Sequence, residues 1–170
     1  MNARILVIPA CLAAVAVGAC GGGSPSNGAP NPNAAENSPP GDIPDNQIYV
    51  RYHPGGTHFS VKVPEGWARS QAGGTVSFTD KLNSVAMREQ QAAGKPPGTP
   101  LKRAGQTVYL AKSVAQAAPN AVTGKAITDA VERYVYDHGS HRLVLTLSGP
   151  KGADNVDPWR IVSDSVRWSG

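Results

Sequence analysis

"AVERYVYDHGSHRLVLTLSG", residues Ala130 to Gly149, decides the fold. In its second half Leu143, Leu145 and Leu147 alternate with Arg142, Val144 and Thr146, the period of two that belongs to a strand. In its first half, β-branched and aromatic residues up to Asp137 do the same, with Tyr134 and Tyr136 on one face. His138-Gly139-Ser140 separates the two runs, so the stretch reads as a β-hairpin closed by a glycine-containing turn.

Upstream, the same pattern recurs. In "HFSVKVPEGW" (His58–Trp67), Phe59, Val61 and Val63 alternate with Ser60 and Lys62 before Pro64-Glu65-Gly66 breaks the run. "GGTVSFTD" (Gly73–Asp80) places Val76 and Phe78 on one face, and these two stretches are expected to pair across a loop. "SVAMRE" (Ser84–Glu89) and "QTVYLAKSV" (Gln106–Val114) supply a third and a fourth strand. "AAPNAVTGKAITDA" (Ala117–Ala130) favours a loop, because Pro119-Asn120 and Thr123-Gly124 interrupt it.

Downstream, "NVDPWRIVSDSVRW" (Asn155–Trp168) is the one persuasive helix. Asp157 suits the N-cap, and Pro158 then falls at the first helical position, where its missing N–H costs nothing. Trp159, Val162 and Val166 recur at helical spacing, and Val166 to Trp168 turn into a last strand. Trp67, Trp159 and Trp168 are expected as core anchors. The expected fold class is α+β, mostly β: one antiparallel sheet with a short C-terminal helix packed on it.

The N-terminal part has a different character. Arg4 precedes an apolar run, Ile5 to Val17, too short to span a bilayer, and this is the pattern of a secretory signal peptide. Val17-Gly18-Ala19-Cys20 resembles the bacterial lipobox. By that resemblance the signal is residues 1–19, and Cys20 receives a diacylglycerol thioether and further acylation of the palmitate kind. Each buried acyl CH₂ contributes about 0.8 kcal/mol, so two or three chains anchor firmly. Residues 20–46, the lipidated cysteine and a Gly/Ser/Pro/Asn-rich run, offer almost no apolar side chain and are expected to be a disordered linker. Residues 47–170 then form a single globular extracytoplasmic domain.

That domain has no cysteine, so neither an internal disulfide nor a Cys–Zn site is available to it. The linker carries Glu36, Asp42 and Asp45 without Lys or Arg. The remaining 15 Lys/Arg and 9 Asp/Glu give the domain about +6. With an export signal, nucleic acid is disfavoured as a partner. The basic surface fits anionic lipid or a wall polymer at the outer face of the cytoplasmic membrane.

"FSVKVPEGW", the hairpin meander and the closing "DPWRIVSDSVRW" resemble bacterial lipoproteins with a PsbP-like domain, including the mycobacterial LpqN group. The composition, rich in Ala, Gly, Pro and Arg, is that of a high-GC actinobacterium. The resemblance covers most of residues 47–170 and implies an accessory or binding protein, not an enzyme. Such proteins carry a longer helix midway. Here "EQQAAGKPPGTPLKRAG" (Glu89–Gly105) has two adjacent prolines and three glycines, so that helix is expected to be missing or reduced.

No sequence constellation names a reaction. G-x-S-x-G, S-x-x-K, H-E-x-x-H and the phosphate-cradling glycine loop are all missing. No cofactor, metal site or catalytic residue is expected. A rival reading makes the chain a small metal-dependent or hydrolytic enzyme using His138 and His141 with Asp137 around the turn. A third is a purely structural envelope protein. The candidate ligand or partner surface is aromatic with a basic rim: Tyr109, Tyr134 and Tyr136 beside Lys102, Arg103 and Lys112, suited to an anionic amphiphile or an envelope protein.

Overall fold

A computed structural model describes residues 40–117, 124 and 126–169, all within one compact unit, Glu36–Gly170. The expectations for the signal segment, Cys20 and the linker up to residue 39 lie outside the described residues, as do residues 118–123 and 125 of the expected loop.

The hairpin forms as its alternation requires. β8 (Thr128–His138) and β9 (His141–Pro150) pair antiparallel, with Tyr134 opposite Leu145 and Tyr136 opposite Leu143. At the turn, Gly139 takes φ 59°, a left-handed conformation that costs glycine little. β9 is the centre of a seven-stranded antiparallel sheet. On one side lie β5 (Asn83–Gln91), β4 (Thr75–Asp80) and β3 (Ala68–Ala72). On the other, beyond β8, lie β7 (Gln106–Gln116) and β6 (Thr99–Arg103). Register carries one apolar row across five of these strands: Val76, Met87, Leu145, Tyr134 and Leu110.

The expected pairing of Phe59–Pro64 with Val76–Phe78 does not occur. Residues 68–72 form β3, which occupies the edge of β4 that such a pairing would need. Instead β2 (Phe59–Pro64) is the middle strand of a second sheet, between β1 (Tyr49–Tyr52) and β10 (Arg167–Trp168). Its inward residues Phe59, Val61 and Val63 are buried in the same core as Val76, Phe78, Met87 and the leucines of β9. Tyr52 meets Phe78 edge to face at 5.0 Å, tying the two sheets together. The domain is thus α+β and mostly β, with two antiparallel sheets rather than one.

The single helix among the described residues, α1 (Val156–Asp164), buries Trp159 and Val162 on its inner face and leaves Ile161 outside. Tyr136 donates its hydroxyl hydrogen to the Ser163 carbonyl at 2.7 Å, which fixes the helix to β8. The cap is Asn155, two residues before the expected Asp157. Pro158 becomes the third helical residue, still within the first turn where an N–H has no partner to lose.

Asn155 serves another purpose. Its carboxamide oxygen accepts the Ile43 N–H at 2.8 Å, and its nitrogen donates to the Gly41 carbonyl and to Asn83 Oδ1, both at 3.0 Å. Ile43 is buried in the core. Residues 41–43, placed in the linker by composition, are therefore packed on the domain. One isoleucine among prolines and acids was enough to dock there, because the carboxamides of Asn83 and Asn155 take up the Gly41 carbonyl and the Ile43 N–H.

The stretch from Glu89 to Gly105 contains no helix. It finishes β5, passes as a strap with bends at residues 94–95 and 97–98, where Pro97 lies beside the outward-facing Arg133, Val135 and Val144, and enters β6. Arg142 holds the strap: its guanidinium donates to the Ala93 and Gly94 carbonyls, each at 2.8 Å, and forks onto both Asp137 oxygens at 2.7 and 2.8 Å.

Candidate functional site

On β5 the inward phase runs Val85, Met87, Glu89, so the alternation that builds the core also aims a carboxylate inward at its margin. β9 begins with His141 in the phase of Leu143 and Leu145, one residue pair further along the same edge. His58 immediately precedes β2 in the other sheet. The margin where the sheets meet therefore gathers a glutamate and two histidines from three separate elements.

The three are in contact. Glu89 Oε1 accepts from His58 Nδ1 at 2.7 Å and from His141 Nδ1 at 2.8 Å, and Glu89 Oε2 accepts the His58 backbone N–H at 2.7 Å. The imidazole centroids lie 3.9 Å apart at 37°. The Glu89 side chain is 11% exposed, whereas His58 is 52% and His141 37%. Burial pushes the Glu89 carboxyl up, but the His58 amide, the two ring donors and the His58 charge outweigh it and hold the carboxyl below its ordinary value. An ionised carboxylate only accepts, so both Nδ1 atoms carry hydrogen toward it.

This cluster borders a cleft of about 500 Å³. Its floor is apolar, from Phe59, Val76 and Met87; its mouth is polar, with Thr57, Gln71, Gln90, Gln91 and Ser140. An apolar floor with a few placed polar groups is the common make-up of a small-ligand site.

The residues singled out by sequence fall differently. His138 is directly opposite His141 in the ladder, but its ring stacks on Trp168 at 5.1 Å and 15° while His141 turns to Glu89. Asp137 has the opposite pleat phase and is engaged by Arg142. His138, His141 and Asp137 are therefore not a ligand set.

The aromatic surface is corrected as well. Tyr134 and Tyr136 are each 1% exposed, in the core. Tyr109 pairs with Val135, so it lies on the other face of the sheet together with Lys102, which donates to Thr107 Oγ1 at 2.8 Å. Arg103 sits inward, its guanidinium 5.6 Å from the centre of the Tyr134 ring, and Lys112 pairs with Glu132 at 2.6 Å. The pleat divides the expected patch between two faces. Of the tryptophans, Trp159 is buried, while Trp67 and Trp168 are half-buried at the core margin.

Sequence reading missed His58 and Glu89. The signal for Glu89 was its continuation of the Val85–Met87 phase, where an outward-facing residue would have been Arg88. Nothing local marks His58, since only the sheet-to-sheet packing brings it across.

A second concavity of about 370 Å³ lies on the outer face, where Arg88 and Arg133 flank Val135 and Val144 beside the strap.

No protein-family model and no curated protein matches the chain. Among solved structures it is similar to a protein from Bacteroides thetaiotaomicron, at 12% identity and a TM-score of 0.56. The match covers 71% of this chain and 48% of that one, so the chain spans about half of its neighbour's length. At this identity the likeness is one of fold.

Proposed function

We propose that the chain is a lipid-anchored extracytoplasmic lipoprotein that works as a non-catalytic binding module of the cell envelope, taking a small polar ligand in the cleft beside Glu89. The observation that carries the binding half is the cleft itself, with its apolar floor, polar mouth and two imidazoles turned onto one carboxylate. The anchoring half rests on Val17-Gly18-Ala19-Cys20 and the glycine- and proline-rich run after it. The resemblance to PsbP-like lipoproteins supports an accessory role. The polar mouth favours a small hydrophilic ligand over the amphiphile suggested by the tyrosines.

A metal-dependent hydrolase is the second reading, favoured by the His–Glu–His contact. Among the described residues, no hydroxyl is hydrogen-bonded to either ring, so the arrangement lacks the nucleophile–base pair that hydrolysis by a serine or threonine requires.

Capture from membranes tests the binding reading. The intact chain is compared with Gln71→Trp, which fills the mouth from an exposed strand position and leaves the core alone. Enrichment of a ligand by the intact chain but not by the variant is the expected result. Equal recovery by both, or none by either, would count against the cleft as the binding site.

A further inference from the structure

We propose that His58, Glu89 and His141 form a binding site for a divalent transition-metal ion of the zinc class. The inference rests on the reading of the cleft as the binding site and names what is held at its edge. One ring nitrogen of each histidine and a carboxylate oxygen lie within 4.8 Å of one another. Two imidazoles and one carboxylate are a set that zinc, copper and nickel accept and that magnesium and calcium, with their preference for oxygen, do not.

Around a tetrahedral ion with bonds of about 2.0–2.1 Å, neighbouring donors stand roughly 3.3 Å apart. The Nδ1–Oε1 contacts of 2.7 and 2.8 Å need to open by only about half an ångström for the ion to replace the two shared hydrogens. His58 has the room to do so, being half exposed just before its strand begins. Glu89 is held in orientation by the His58 amide on its other oxygen, the kind of outer contact that positions a ligand before the ion arrives. A structural tie between the sheets would need only one ring on Glu89. A second, half-exposed ring adds little stability to a charged pair, yet it completes a three-donor set. Three protein ligands also leave a position for water or for a donor atom of the ligand in the cleft.

The test uses the intact, untagged chain in detergent, stripped with a chelator. Zn²⁺ is titrated by calorimetry and Co²⁺ by visible absorption. One ion per chain is expected, with the intense visible bands of tetrahedral cobalt. At a hundredfold excess over Kd, zinc should raise Tm by roughly 5–15 °C. His58→Ala and Glu89→Gln should each weaken binding at least tenfold (about the loss expected even for an outer-shell partner), while His138→Ala leaves it unchanged. Melting of the metal-free variants shows whether each is folded, and His58→Ala, at an exposed ring, keeps the comparison usable if Glu89→Gln is not. Absence of saturable binding overturns the proposal, as does binding that both variants leave intact. Lost metal binding with intact Gln71-sensitive capture would remove this inference alone. Intact zinc binding without such capture would remove only the ligand-binding reading.

Discussion

Replacing Trp159 by alanine is expected to cost the domain about 3–5 kcal/mol, as removal of a large buried aromatic does. The ring is 8% exposed and packs from the helix into the shared core, where Val162 and Val166 are 2% and 0% exposed. Its neighbours in the core are held by their own strands and helix, so most of the cavity should persist. A urea titration would show the loss as a lower midpoint at unchanged slope. An unchanged midpoint would mean that the ring contributes no burial and that the helix is not docked as described.

Gly149→Ala is expected to be nearly as damaging, about 2–4 kcal/mol, for a different reason. A Cβ at this position would lie 2.2 Å from Asn83 Oδ1 and 2.9 Å from Asn155 Nδ2. Those atoms are hydrogen-bonded to each other and, with Gly41 and Ile43, form the buried amide network that docks residues 41–43. The methyl group cannot be admitted without separating buried polar atoms that have no water to turn to. Hydrogen exchange separates this mechanism from simple crowding: the Ile43 amide should lose protection before the amides of β8 and β9 do. Uniform loss, or none, would contradict it.

The two substitutions fail in parts of the molecule that sequence revealed to different degrees. Trp159 was readable because its spacing to Val162 fixes an inner helix face, while Val166, two residues past the helix end at Asp164, reaches the same core from outside the helix. The hairpin was readable because Leu143, Leu145 and Leu147 share a phase and a glycine marks the turn. Alternation, however, states which residues share a face and not which strand lies alongside. The alternation of Phe59, Val61 and Val63 puts them on one face, which the structure buries, yet the strand's partners are β1 and β10. β3, "ARSQA", is exposed along its whole length and carries no periodic signal, so the strand that displaces β2 was invisible.

The site was less legible still. Tyr134, Tyr136 and Tyr109 differ in pleat phase, which the sequence contains, but which face would be covered depends on the second sheet. Glu89 was in phase with the core, and its role became visible only when His58, thirty-one residues earlier, was brought to its side by the packing of the two sheets. Residues 41–43 had the composition of a linker, and only the carboxamides of Asn83 and Asn155 reveal why they are held.

The central claim, a binding module held to the membrane through Cys20, is tested most directly at the N-terminus of the chain itself. No Lys or Arg lies between Cys20 and Arg51, so trypsin should release residues 20–51 as one peptide from the denatured, membrane-extracted protein. Mass spectrometry is expected to find that peptide beginning at Cys20 with diacylglycerol on its sulfur, and Cys20→Ala should abolish the modified species and shift the protein out of the detergent phase. A Cys20 thiol found unmodified, with the intact chain and Cys20→Ala partitioning alike, would contradict the account.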